Sequence, residues 1–159
     1  MTEARRPADS AVETTHVVLP PDTNPHGTAF GGRIMQWMDI AAGIAAWRHC
    51  GGPVVTVAVD DLHFAEPIRM GDVVSIRASV NHTGRTSMEV GVRVDREEAK
   101  TGTQYHCLTG YFIFVAIDTI LGVAHPVEVP AIEPQTEDEK RRFNNAMRRR
   151  EHRLRTRKH

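Results

Sequence analysis

The sequence predicts an α+β domain in which one long apolar helix packs against an antiparallel sheet. The segment over 32–49 carries apolar residues on nearly every side, which is typical of a buried helix. Four later segments are rich in β-branched and alternating residues, and short connections join the last three, which favours antiparallel pairing. A helix layer on a sheet layer around a single core suits a chain of 159 residues.

Composition is that of an ordinary globular chain, with 40% apolar and 25% charged residues. No apolar run approaches the roughly 18 to 20 residues that a membrane span needs, and the first ten residues lack the apolar core of a signal peptide. The two cysteines, Cys50 and Cys107, form neither a CxxC motif nor a zinc-type spacing. We therefore expect reduced thiols, a cytoplasmic location and no metal site.

The N-terminal part predicts one strand between two irregular segments. Residues 1–10 are polar and charged, so we expect them to be disordered. The β-branched residues of 11–19 predict a strand, and Pro20-Pro21 ends it because proline cannot donate to a ladder. Residues 22–30 are dense in turn formers and predict a loop.

The central helix begins after Gly31-Gly32 and is predicted over 32–49, with Gly51 as its left-handed stop. Asp39 lies inside it, and a lone charge on an apolar helix is either hydrogen-bonded for structural reasons or chemically active. The four predicted strands that follow lie at 53–64, 72–81, 87–96 and 103–118.

The C-terminal part predicts a basic helix. Thr136-x-x-Glu139 is a capping box, and a thin apolar stripe of Phe143, Met147 and Leu154 continues behind it. Residues 140–159 hold ten Lys or Arg and a single acid, whereas the formal net charge of the whole chain is zero. We divide the chain into a domain over 11–130 and a basic helical extension over 131–159.

Two further features near the central helix have chemical potential. The first N–H groups of a helix are unpaired and carry partial positive charge, so the Gly32 N–H is a candidate donor to an oxyanion. The Asn24 amide, in the preceding loop, is either a turn-forming group or one that orients a water or a carbonyl.

Three motifs in the sequence, which include these residues, resemble those of a known protein family. They are Asn24-x-x-Gly27-x-x-Phe30-Gly31-Gly32-x-x-Met35-x-x-Met38-Asp39, Phe64-x-x-Pro67-x-x-x-Gly71-Asp72, and Gly84-x-Thr86-Ser87. Over roughly 12–120 the chain resembles the hotdog-fold acyl-CoA thioesterases, in the branch of bacterial YciA-like and eukaryotic brain acyl-CoA hydrolases. The resemblance implies a five-stranded antiparallel sheet wrapped around the central helix.

The resemblance also implies a shared active site. It implies a homodimer with a continuous sheet, assembled as a trimer of dimers, in which Asp39 of one subunit meets Asn24 of the other. The backbone N–H of Gly32 would polarise the thioester carbonyl, and Asp39 would act as general base or as nucleophile. No cofactor is implied, because CoA enters and leaves as part of the substrate and product.

Substrate docking is expected at a hairpin loop. Arg85, Thr86 and Ser87 offer donors to the CoA phosphates, although a solvated hairpin tip explains them almost as well. The basic helix lies outside the matched region. It either packs on an acidic surface of the oligomer or adds cations near the CoA phosphates.

The predicted function is hydrolysis of fatty acyl-CoA to free fatty acid and CoA. The alternatives are a dehydratase or acyl-carrier-protein thioesterase of the same fold, and a catalytically idle regulator that binds acyl-CoA or a nucleotide. Dehydratases of this fold use a histidine, whereas the match here is to the pattern of Asn24 and Asp39. Nucleic-acid binding by the basic tail is not predicted, because its cations lack interleaved aromatic residues.

Overall fold

The computed structural model describes residues 3–157. Its helices and strands, in chain order, are α1 (Pro7–Ser10), β1 (Val12–Val17), α2 (Gly31–Cys50), β2 (Val54–Val59), β3 (Val73–Thr83), β4 (Ser87–Glu97), β5 (Gln104–Ile120), β6 (Val123–Pro126) and α3 (Glu137–Thr156). None of these helices is both long and apolar enough to cross a membrane.

The sheet has the strand order β1-β3-β4-β5-β2, and every pairing in it is antiparallel. This five-stranded sheet and the helix across it confirm the predicted fold class. The structure adds β6, which the sequence analysis did not predict. It pairs with the end of β5 through a tight turn at Leu121-Gly122, where both residues have positive φ.

The core lies between α2 and one face of the sheet. Alternate residues of β3 and β4 point to this face, as the period of a strand requires, and they are almost fully buried. They are Val74, Ile76, Ala78, Val80, Met88, Val90, Val92 and Val94. The small residues Ala41, Ala42 and Ala45 let α2 approach them closely. Each large buried side chain contributes roughly 1.5–3 kcal/mol through burial.

One side of α2 is not buried, in contrast to the expectation of burial all round. Ile40, Ile44 and Trp47 are 52%, 37% and 56% exposed, and their spacing places them on one face of the helix. The neighbouring strand β2 lies at the edge of the sheet, and its Val55 and Val57 are also exposed. A single chain therefore leaves an apolar helix face and an unpaired strand edge side by side.

The N-terminal segment differs from the predicted disorder. Residues 7–10 form α1, and the Arg5 backbone N–H donates to the carbonyl of Ala131. The Arg5 guanidinium donates to the carbonyls of Arg48 and His49, which lie at the end of α2 and lack helical partners. The prediction of disorder over 1–10 is thus wrong for residues 3–10, and Met1 and Thr2 lie outside the described residues.

The second predicted strand is shorter than expected, since β2 ends at Val59 rather than at residue 64. Beyond Val59, the N–H groups of Asp60 and Ala65 still donate to carbonyls of β5, but the segment between them is irregular.

The basic helix α3 packs on the sheet through both apolar and charged contacts, since Phe143 packs against the core and Ala146 is fully buried. Met147 and Leu154 of the predicted stripe are about half exposed. Glu89 of β4 is 3% exposed and forms ion pairs with Arg149 and Arg153. The division of the chain at residue 130 stays a prediction.

Candidate functional site

Asp39 lies midway along α2, half-buried, with its side chain directed to the edge strand. Its Oδ1 accepts a hydrogen bond of 2.7 Å from the hydroxyl of Thr56 in β2. The register of β2 against β5 shifts between Thr56 and Ala58, leaving Val57 as a bulged residue. Bulges redirect neighbouring side chains and are common beside active sites. Thr56 was not predicted as a site residue, because a threonine within a β-branched strand is unremarkable.

The surroundings of Asp39 leave its carboxylate available for chemistry. Within the described residues, Thr56 is its one hydrogen-bond donor and no lysine, arginine or histidine pairs with it. A carboxylate has about four acceptor positions, so most of them are unused. Asp39 can therefore accept a proton from water or attack an electrophile.

The first turn of α2 supplies free N–H donors. Phe30 precedes the helix without a side-chain cap, and the N–H groups of Arg33 and Ile34 donate to its carbonyl. Among residues 3–157, no acceptor takes the N–H of Gly31 or of Gly32. These donors lie at the positive end of the helix dipole.

A side chain at position 32 would displace the ring of Phe30. A Cβ on Gly32 would lie 2.6 Å from Cε1 of that ring, closer than carbon atoms approach without displacement. The aromatic ring thus lies directly against bare backbone. This arrangement shields the helix start on one side while its N–H groups remain unpaired.

Asn24 builds the loop that precedes α2. Its Oδ1 accepts from the N–H groups of His26, at 2.9 Å, and Thr28, at 3.3 Å, and its Nδ2 donates to the Thr28 hydroxyl at 2.8 Å. Gly27 takes the left-handed conformation within this turn, at φ 78°. In the described chain the Asn24 side chain bonds only within its own loop, and no hydrogen bond joins it to Asp39.

A cavity of about 220 Å³ opens beside the N-terminus of α2. Its wall includes Gly31 and the apolar side chains of Ile34, Phe64, Pro67 and Ile68. A slot of this kind accepts an aliphatic group next to the free N–H donors.

The hairpin residues expected to bind phosphate lie at the turn between β3 and β4. The N–H of Gly84 donates to the carbonyl of Ser87 and closes the turn, and the Thr86 carbonyl accepts from Ala116. Arg85 is exposed, and in the described chain no hydrogen bond joins this hairpin to Asp39. The Ser87 end of this hairpin pairs with β5, which pairs in turn with β2, so one strand lies between the hairpin and the edge strand.

Comparison with known proteins identifies the family of this chain. The model of the thioesterase superfamily matches residues 26–103. The Bacillus subtilis protein named uncharacterized acyl-CoA thioester hydrolase YkhA is 38% identical over 157 residues, which are 99% of this chain and 90% of that protein. The mouse cytosolic acyl coenzyme A thioester hydrolase is 38% identical over 80% of this chain and 33% of its own length.

Solved structures agree with this comparison. Acyl-CoA hydrolase from Bacillus cereus is 39% identical, with a TM-score of 0.91 over 96% of this chain and 91% of that one. The Staphylococcus aureus acyl-CoA hydrolase, solved with butyryl-CoA, CoA and CoA disulfide, is 33% identical, with a TM-score of 0.89 over 97% and 92%. That enzyme was also solved with alanine replacing one asparagine, one aspartate or one threonine. An apo-hexameric acyl-CoA thioesterase matches with a TM-score of 0.90 at 38% identity, over 98% of this chain and 97% of that one. The chain belongs to the hotdog-fold acyl-CoA thioester hydrolases of the thioesterase superfamily.

Proposed function

We propose that this enzyme hydrolyses fatty acyl-CoA to free fatty acid and CoA, with Asp39 as the reacting carboxylate. The observation that carries the proposal is the environment of Asp39 in the described chain. It is a half-buried carboxylate on an apolar helix, held by the Thr56 hydroxyl and by no cation. A carboxylate placed for structure alone would more commonly have an arginine or backbone N–H partner.

The Staphylococcus aureus variants support this choice of residues. The replaced asparagine, aspartate and threonine are 15 and 17 positions apart along that chain. Asn24, Asp39 and Thr56 have the same two spacings here. We therefore assign all three to the site, with Thr56 as the member that the sequence analysis missed.

Two reaction courses suit this arrangement. As a base, Asp39 takes a proton from water while the oxygen of that water attacks the thioester carbon. As a nucleophile, Asp39 attacks that carbon itself, the CoA thiolate leaves, and water then hydrolyses the acyl anhydride. In either course the oxyanion lies at the Gly32 N–H. A thiol has a pKa of about 8.5, so its thiolate departs without a strong acid.

Self-association completes the site in this proposal. The exposed face of Ile40, Ile44 and Trp47 and the unpaired edge of β2 suit an isologous contact with a second copy. In such a dimer, Asn24 of one subunit would lie beside Asp39 of the other, as the family resemblance implies. The hexameric relative supports assembly of three such dimers.

The hairpin between β3 and β4 is the proposed binding site for the CoA phosphates. Arg85, Thr86 and Ser87 present a guanidinium and two hydroxyls at one turn, and these groups suit phosphate oxygens. We place the enzyme in the cytoplasm, which the name of the mouse relative supports.

Release of CoA from acyl-CoA substrates of increasing chain length, followed with a thiol reagent, tests the function. We expect release from at least part of the series, and none above background for Asp39→Ala at unchanged oligomer size. If the wild-type protein releases no CoA from any of them, the alternative of a catalytically idle acyl-CoA binder replaces hydrolysis.

A further inference from the structure

The arginines of α3 that face the sheet fall into two groups. Arg149 and Arg153 are neutralised: Arg149 Nη2 lies 2.7 Å from Glu89 Oε1, and Arg153 Nη1 lies 3.0 Å from Asp60 Oδ2. The Arg149 guanidinium also stacks on the ring of Tyr111, with its Cζ 3.5 Å from the ring centroid. These two residues hold the helix on the sheet.

Arg150 is the exception, although it follows Arg149 directly. It is half-buried, yet among residues 3–157 it has neither an ion pair nor a side-chain hydrogen bond. Its guanidinium instead lies over Gly84, at the hairpin between β3 and β4. A Cβ on Gly84 would lie 3.0 Å from Arg150 Nη2 and 2.7 Å from Ser87 Oγ. The absent side chain of Gly84 thus leaves room for a guanidinium and a hydroxyl next to each other.

The same hairpin carries a second positive charge without a partner. Arg85 is exposed and, within the described residues, forms no ion pair. His82 lies nearby, and burial, followed by the charge of Arg150, lowers its pKa, which favours the neutral imidazole. Glu89 is already bound to Arg149 and Arg153. The Arg150 guanidinium and the Ser87 hydroxyl therefore meet over Gly84, and Arg85 on the same turn adds a second unpaired positive charge.

We propose that Arg150 binds a phosphate group in the nucleotide part of CoA, so that α3 and the hairpin together form a phosphate clamp. This inference rests on the proposed function in one respect, since it takes acyl-CoA as the substrate. Guanidinium groups suit phosphate because they donate two parallel hydrogen bonds to its oxygens. In this arrangement Arg149 and Arg153 fix the helix, and Arg150 is left to meet an anion.

The test compares two thioesters of the same acyl group. Butyryl-CoA carries the nucleotide phosphates, and butyryl-N-acetylcysteamine carries none. For Arg150→Ala we expect KM for butyryl-CoA to rise roughly ten-fold or more, as the loss of a charge-assisted contact implies. We expect kcat for butyryl-CoA, and kcat/KM for the cysteamine thioester, to stay at the wild-type values.

Two variants serve as controls. Arg148→Ala removes an exposed arginine of the same helix that has no ion pair in the described chain, and it should change neither substrate. Arg150→Lys keeps the charge and should recover part of the affinity for butyryl-CoA. If Arg150→Ala weakens both thioesters equally, or neither of them, Arg150 is not a phosphate ligand.

Calorimetric titration with free CoA separates this inference from the proposed function. A protein that hydrolyses neither thioester but binds CoA more weakly after Arg150→Ala would retain the clamp and lose the hydrolase. If wild type and Arg150→Ala bind CoA equally, or if neither binds it, the clamp is overturned whatever the activity.

Discussion

The hydroxyl of Thr56 donates a 2.7 Å hydrogen bond to Asp39 Oδ1 and so joins the edge strand β2 to the central helix α2. The bond fixes the rotation of the carboxylate and occupies one oxygen, which leaves Oδ2 free for water or thioester. It also makes the position of the carboxylate depend on the bulge that follows Thr56. A conformational feature of the sheet thereby controls the geometry of the proposed reaction.

Replacement of this hydroxyl tests its contribution. Thr56→Val keeps the β-branched shape and removes the donor, so we expect kcat to fall about 10- to 100-fold, as loss of a hydrogen bond to a charged group implies. Thr56→Ser restores the hydroxyl and should recover most of the rate. Wild-type kcat in Thr56→Val, measured by CoA release, would show that Asp39 needs no orienting partner.

The role of the Gly32 N–H is tested by two substitutions at one position. Gly32→Pro removes the N–H, and the early helical position and the lack of a Cβ on Gly31 make proline sterically acceptable there. If the N–H stabilises the oxyanion, kcat should fall about 100- to 1,000-fold relative to Gly32→Ala.

Gly32→Ala is the matched control, because its Cβ meets the Phe30 ring as the proline does but its N–H remains. Phe30 is 58% exposed and can turn away, so both variants should fold. Equal kcat values in the two variants would remove the Gly32 N–H from the mechanism and attribute any loss to crowding.

The ion pairs of Glu89 predict a stability effect. Glu89→Ala leaves Arg149 without its buried acceptor, whereas Arg153 keeps Asp60, and breaking a buried pair costs about 3–5 kcal/mol. The Arg149 and Arg153 side chains remain 23% and 19% exposed, so we expect the free energy of unfolding to fall by about 3 kcal/mol, the lower end of that range. Urea unfolding measures this loss of stability, and replacement of the exposed Glu133 by alanine is the control. Equal midpoints in both variants would mean that α3 does not depend on this charge cluster.

His49 predicts a dependence of stability on pH. It is fully buried at the end of α2, its Nε2 bonds the Pro130 carbonyl at 2.7 Å, and burial lowers its pKa. Below a pH of about 6.5 the unfolded state therefore binds more protons than the folded state. Stability should be fully present above that pH and decrease as the pH falls toward the lowered folded value.

The variant His49→Gln keeps a donor for Pro130 and cannot be protonated. We expect its unfolding midpoint to change less than that of the wild type between about pH 7.5 and about pH 5.5, which bracket the histidine pKa of about 6.5. Identical pH profiles would assign the acid sensitivity to other groups, among them His16 and His82, whose pKa values burial also lowers.

Much of the architecture follows from local sequence features. Apolar periodicity located α2, Gly51 marked its end at φ 77°, and Thr136 and Glu139 formed the capping box of α3 as predicted. Asp39 attracted attention because its charge conflicts with its apolar surroundings. Such signals lie within a few residues of one another, so a single sequence contains them.

Other features depend on contacts between distant residues. Thr56 reaches Asp39 across 17 positions, and Arg149 reaches Glu89 across 60. Neither threonine in a strand nor arginine in a basic helix indicates its partner. The N-terminal segment is ordered because Arg5 binds the end of α2, which its own polar composition did not suggest.

In the proposed enzyme, Asn24 and Asp39 form one site only across two subunits. Co-expression of Asn24→Ala and Asp39→Ala chains tests it, because a mixed dimer holds one site with both residues intact. Each variant alone should be inactive, and random mixing should restore about a quarter of wild-type CoA release, since half of the dimers are mixed and each has one of two sites. A mixture as inactive as its parents would contradict a shared site.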